Sequence, residues 1–200
     1  MSAQTKPKRA LTRGDILPAA AYAASRRQRR QAISELKKRR RIEVGPFATF
    51  YFENYATMWQ QVHEMLHVEK GGEAQIADEL EAYNPMIPQG SELVATIMLE
   101  IDDPVRRANA LTRLGGIENH IFLEVGGERI PGTPDRDREN TSPEGKASSV
   151  QFVWFRFTPQ QIARFKTPAA RVIAGIDHPD YAHMAVIPEP VRAALAEDFD

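Results

Sequence analysis

Leu93-Val94-Ala95-Thr96-Ile97-Met98-Leu99-Glu100-Ile101 is the stretch that decides the fold. Leu93, Ala95, Ile97, Leu99 and Ile101 recur at every second position, the period at which an extended chain returns its side chains to one face. A strand with one buried face needs partners, and the residues downstream supply them. Asp102 or Asp103 ahead of Pro104 offers an N-cap and a first-turn proline for a short helix reaching Leu114. Ile117 to Val125, the Gly126-Gly127 turn and Glu128 to Ile130 form a hairpin. Residues 131–148 are polar and rich in Pro, Gly and charge, the composition of a mobile loop. Val150 to Phe157 is a second strong strand. Thr158-Pro159 opens a short helix, Arg171 to Ile176 is a strand, and Pro188 to Phe199 is a closing helix. Strands and helices do not alternate as a doubly wound sheet requires. The class is therefore α+β, with a largely antiparallel or mixed sheet and helices on one side.

Upstream the pattern is helical. Residues 1–11 read as a disordered basic tail, and 12–200 as a single domain whose first part, 12–41, is a basic helical arm. Thr12 and Asp15 resemble a capping box, which puts a helix start near Arg13, and Ser25 could cap a second segment. The apolar stripe of this arm is thin: Tyr22, Ala32, Ile33 and Leu36. Gly45-Pro46 is a turn signal, and the aromatic run Phe47 to Phe52 suggests a short strand pair around it. Asn54 can cap a helix over Tyr55 to Lys70, whose inner face carries Tyr55, Trp59, Val62 and Leu66. Gly71-Gly72 ends it, and a further helix runs from Glu73 to Tyr83 before Asn84-Pro85. Tyr55, Val62, Leu66, Ile97, Leu99, Leu123, Phe155 and Phe157 are expected to share one core.

The charge is divided unevenly. Residues 1–41 hold 13 Lys or Arg against Asp15 and Glu35, leaving 13 basic and 25 acidic residues for 42–200. A segment at +11 is thus joined to a body at −12. Such a split suits an anionic partner or one end of the chain lying on the other. The absence of cysteine excludes disulfides, thiol catalysis and iron–sulfur ligation by this chain's own thiolates. No apolar run approaches the roughly 20 residues of a membrane span, and the N-terminus lacks a secretory h-region, so cytoplasmic localisation is expected.

Three features could carry chemistry. His63-Glu64-Met65-Leu66-His67 is an H-E-x-x-H sequence on a predicted helix. His63 and His67, four residues apart, can share Zn or Fe, with Glu64 as the base that deprotonates a metal-bound water. The third ligand would come from Glu73, Glu79, His120 or His178. The helical wheel sets both histidines at the edge of the buried face and points Glu64 outward. The second feature is the cation run Arg26, Arg27, Arg29, Arg30, Lys37, Lys38, Arg39, Arg40 and Arg41. It suits an acidic protein partner, or nucleic acid, although no aromatic residues interleave to stack on bases. The third is Asp177-His178-Pro179-Asp180-Tyr181 after a strand, where Asp177 could orient His178 as a base or ligand.

Several blocks are familiar: Leu11-Thr12-Arg13-Gly14-Asp15-Ile16-Leu17-Pro18, Lys37 to Arg41 running into Val44-Gly45-Pro46, Phe52-Glu53-Asn54, and Glu64-Met65-Leu66. Tyr83-Asn84-Pro85 and Gly175-Ile176-Asp177-His178-Pro179-x-Tyr181 continue the series. Together they resemble the bacterial family catalogued as domain of unknown function 3501. The resemblance implies a neighbourhood in which genes of this kind sit beside a rubrerythrin-like protein and an iron–sulfur subunit similar to that of anaerobic glycerol-3-phosphate dehydrogenase. The leading expectation is therefore a non-catalytic accessory protein of a redox or peroxide-defence system. A metal-dependent hydrolase and a nucleic-acid-binding module are the alternatives.

Overall fold

The computed structural model describes residues 8–200. In chain order the elements are α1 (Ala19–Lys38), β1 (Arg41–Val44), β2 (Ala48–Phe52), α2 (Tyr55–Glu69), α3 (Gly72–Tyr83), β3 (Glu92–Leu99) and α4 (Pro104–Arg113). β4 (Ile121–Val125), β5 (Glu128–Pro134), β6 (Val150–Arg156), α5 (Pro159–Lys166), β7 (Val172–His178), β8 (Tyr181–Val186) and α6 (Glu189–Ala196) follow. The eight strands form one sheet in the order β1-β2-β3-β6-β5-β4-β7-β8, and every pairing is antiparallel. The class is α+β, as the alternation of Leu93 to Leu99 implies.

The sheet curls until its two edges nearly meet. Tyr181, buried on β8, closes the seam with its hydroxyl. That group accepts from the backbone N–H of Ala48 at 3.0 Å and of Phe47 at 3.2 Å, and donates to the Val44 carbonyl at 2.6 Å. Gly45 makes room for this contact. Its φ is +75°, and a Cβ there would fall 2.7 Å from the Tyr181 oxygen and 2.5 Å from the His183 ring. Gly175, on β7, similarly leaves space for the Phe122 ring, which a Cβ would meet at 2.3 Å.

The curled sheet separates two cores. Leu93, Ala95, Ile97 and Leu99 of β3 point inward with Leu123, Val153 and Phe155. α4 and the turn after it close one end of this interior with Leu111, Leu114 and Ile117. At the other end α5 and α6 contribute Phe165, Val191 and Leu195, and Phe165 meets Phe157 and Phe199, which lies beyond α6, edge to face. The second core lies outside, where α2 and α3 pack Met58, Val62 and Ile76 on Val94, with Tyr55, Leu66, Phe152 and Trp154 at its margin. The expectation of one shared core is corrected here: a strand with both faces covered places Val62 and Ile97 on opposite sides of the sheet.

Other boundaries move for local reasons. Thr12 and Asp15 do form a reciprocal capping box, but it closes a 3-10 turn over Arg13–Asp15; Pro18 then delays α1 to Ala19. Ser25 caps nothing, because its hydroxyl turns back onto the Ala21 carbonyl at 3.0 Å and α1 continues unbroken. Residues 1–7 of the expected tail lie outside the described residues. Lys8 to Leu11 are docked: Leu11 is buried, and its N–H and carbonyl are both bonded by the Asn84 amide at 2.7 and 3.0 Å. Arg9 reaches the carbonyls of Pro88 and Asp198. In the expected loop 131–148, residues 131–134 belong to β5, and Thr141 bridges to a buried Ala147. β8 is a strand the alternation did not reveal, since His183, Met184 and Val186 are all exposed on it.

Candidate functional site

α2 is capped at its start by Asn54, whose side chain accepts from the Thr57 N–H at 3.0 Å. It ends at Lys70, which itself takes the left-handed conformation at φ +56°. Between these ends the helix is covered twice, by the sheet on one side and by α1 on the other. That second cover fixes the H-E-x-x-H sequence.

Glu64 is only partly exposed and turns toward α1. Its carboxylate accepts the Tyr22 hydroxyl at 2.5 Å, Arg26 Nε at 3.0 Å and Nη2 at 2.7 Å, and the Gln60 amide at 3.0 Å. The Arg26 guanidinium, more than any other neighbour, holds Glu64 down at about 2, against an ordinary 4.5. Tyr22 is buried, and burial together with the adjacent carboxylate pushes its phenol up. A carboxylate locked in a bidentate ion pair is a poor proton acceptor, and in this structure Glu64, expected as a base, is the centre of a helix–helix clasp.

His63, expected as a metal ligand, is engaged in the same way. Its Nδ1 lies 2.7 Å from the Trp59 carbonyl, which can only accept, so Nδ1 carries the proton. Nε2 then accepts the Leu17 N–H at 3.0 Å. Both ring nitrogens are spent, and no lone pair is left for a metal. Burial lowers the pKa of His63 below the ordinary 6.5 and keeps it neutral. His67 sits one turn on, its ring 6.0 Å from that of Tyr22, with no hydrogen bond to its nitrogens among the described residues. The expected third ligands are engaged elsewhere. Glu73 is paired with Arg13, and Glu79 accepts from Gln75. Among the described residues no three His, Asp or Glu side chains come together as a metal-binding group.

At the far end of the sheet, Asp177 and His178 are the last residues of β7. Adjacent strand residues point to opposite faces, so Asp177 cannot orient His178. It pairs instead with His120 at 3.1 Å and Arg129 at 2.7 Å. His178 is buried, accepts the Asp180 N–H at Nδ1 and donates from Nε2 to the Gly115 carbonyl, each at 3.2 Å. It shapes the β7–β8 turn and is not a free ligand.

The cation run divides by direction. Arg26 binds Glu64. Arg29 lies over the Trp59 ring at 4.6 Å and donates to Ser25. Arg40 is buried; it pairs with Asp198 and donates to the carbonyls of Phe52, Glu53 and Ala194 at 3.0, 3.1 and 3.3 Å. Lys38 pairs with Glu35, and Arg41 with Glu43. Lys37 is half-buried and makes no ion pair among the described residues. Arg27, Arg30 and Arg39 are exposed and likewise make no ion pair among the described residues. Tyr22, read from the sequence only as part of an apolar stripe, and Asn84, read only as a helix stop, also bond across the fold to Glu64 and Leu11. The role of Tyr22 could have been found from Tyr22, Arg26 and Arg29, which fall on one face of a helix at i, i+4 and i+7.

Between α1, α2 and α3 lies a cavity of about 530 Å³, lined mainly by Leu17, Ala20, Leu66 and Ile76, with Tyr22, His63 and His67 on one wall. The Arg13–Glu73 pair stands among the lining residues. No helix among the described residues is long and apolar enough to cross a membrane.

These features define a class: a nearly closed antiparallel α+β sheet wrapped on one side by a clasped three-helix layer. The chain belongs to the family described as protein of unknown function (DUF3501), whose model matches residues 10–199. A crystal structure of a protein of unknown function from Burkholderia pseudomallei K96243 is 39% identical, with a TM-score of 0.88 over 95% of this chain and 99% of that one. No curated protein matches.

Proposed function

We propose that this is a non-catalytic accessory protein that docks on an acidic partner through the exposed cations of α1 and of its C-cap. The observation that carries the reading is the division of the cation run: Arg26, Arg29 and Arg40 are consumed by the fold, while Arg27, Arg30 and Arg39 stand exposed and without ion pairs among the described residues. Exposed guanidinium groups on a helix and its C-cap suit bidentate recognition of carboxylates. The commitment of His63 and Glu64 to backbone and ion-pair contacts supports binding over hydrolysis. The family resemblance directs the choice of partner toward the rubrerythrin-like protein and the iron–sulfur subunit.

The test is a binding titration of the purified chain against each of these two proteins. The Arg27→Glu, Arg30→Glu, Arg39→Glu triple variant should weaken binding by about 100-fold, from roughly 1 kcal/mol per lost charge contact. Arg29→Gln, whose cation already lies on Trp59, should leave the affinity nearly unchanged. Equal affinity of the triple variant, or tight binding of RNA that falls steeply with salt and no protein binding, would contradict the proposal.

A further inference from the structure

A second cavity, of about 380 Å³, opens between α2 and the outer face of the sheet, on the side away from the clasp. Its walls combine apolar, polarisable side chains, Met58, Met98, Tyr83 and Phe152, with polar ones that include Gln61 and Lys37. Set among them is Glu53, only 5% exposed although it belongs to a residue type that is rarely buried without a partner. One carboxylate oxygen accepts the Thr96 hydroxyl at 2.7 Å. The second has no hydrogen bond or ion pair among the described residues, and it is not sealed inside the protein, so the cavity is where it meets its surroundings. Every other buried carboxylate has a cationic or amide donor: Asp198 has Arg40, and Glu79 has Gln75.

We infer that this cavity is a binding site for a small organic cation, a primary amine whose ammonium group pairs with the open oxygen of Glu53. Thioethers and aromatic faces are favourable neighbours for the apolar body and the cationic end of such a ligand. The volume suits a ligand of about ten heavy atoms, within the range of small-molecule pockets. The cation in the wall is Lys37, which forms no ion pair with Glu53. Arg138, stacked 4.3 Å over Phe152 on the sheet, is already paired with Asp135 at 3.2 Å. Glu53 belongs to the Phe52-Glu53-Asn54 block, in which Phe52 is core and Asn54 caps α2. Neither role explains why a carboxylate stands between them.

Benzylamine and its uncharged counterpart benzyl alcohol are suitable probes, followed by calorimetry and by amide chemical shifts. Benzylamine should bind at least about tenfold more tightly than the alcohol, the worth of one charge-assisted contact. Glu53→Gln keeps an acceptor for Thr96 and should abolish that preference while leaving the melting temperature near that of the parent. Met98→Trp fills the cavity from a side chain at its exposed edge and should block both probes. This second variant keeps the test open if Glu53→Gln folds poorly. Absence of benzylamine binding at about 10 mM, or equal binding by both variants and the parent, would overturn the inference. Binding seen only in Lys37→Met would also overturn it, because the ammonium of Lys37 would then be the natural occupant.

Discussion

The two faces of α1 carry the same residue type to opposite ends. On the inner face Arg26 meets Glu64 and Tyr22, and just past the helix Arg40 is buried against Asp198 and three carbonyls. One position on from Arg26, Arg27 projects into solvent, while Arg30, a turn beyond Arg26, is exposed at the rim of the clasp with its charge still felt by Glu64. One position of rotation separates a guanidinium that holds the fold from one free to bind something else. A count of charge cannot distinguish them; only the packing of α1 on α2 can.

The comparison breaks most visibly at Arg40. Arg40→Ala leaves Asp198 buried without its cation and three carbonyls without a donor, and should cost about 3–5 kcal/mol in urea unfolding. A loss under about 1 kcal/mol would show that Asp198 is neutral or hydrated there. Glu64→Gln should cost less, about 1–2 kcal/mol, because the pair with Arg26 is partly exposed and screened. Tyr22→Phe removes one hydroxyl contact and should cost about 1 kcal/mol. Arg27→Glu should stay within about 0.5 kcal/mol of the parent, since its side chain is exposed and makes no ion pair among the described residues.

Acid should separate the two members of the clasp. The folded value of His63 lies below its unfolded one, so its contribution is complete above pH 6.5 and is lost as pH falls below it. Protonation turns Nε2 into a donor, which opposes the Leu17 N–H. Glu64 is also depressed, and its contribution is complete above about 4.5 and is lost as pH falls toward 2. Hydrogen exchange should therefore show Leu17 loosening before Arg26 does. Simultaneous loosening of both would mean that α1 leaves α2 as one unit.

Much of the fold could be read from local pattern. The β3 alternation, the Gly126-Gly127 turn and the Asn54, Asp103 and Thr158 caps each rest on neighbours in sequence and form where the pattern put them, whereas the strand expected from Ile117 begins only at Ile121, after a 3-10 turn over Ile117–Asn119. β8 was missed because an edge strand with exposed His183, Met184 and Val186 lacks the alternation that marks a half-buried one. The candidate site was legible in residue type but not in role. His63 and Glu64 do act together, yet their partners, Leu17, Tyr22 and Arg26, lie about 40 residues away in sequence. The wheel gave α2 one buried side, whereas α1 supplies a second. Glu53 escaped notice for the same reason: only the tertiary fold removes it from water.

The account rests on His63 being a structural residue, and its ring nitrogens report on that directly. Nitrogen-15 spectra of the imidazoles at pH 7, before and after one equivalent of Zn²⁺, make the measurement. His63 should be the Nδ1–H tautomer with Nε2 hydrogen-bonded, and zinc should leave both resonances in place. A zinc-induced shift of Nε2 in His63, matched by one in His67, would contradict the clasp and restore the metal centre.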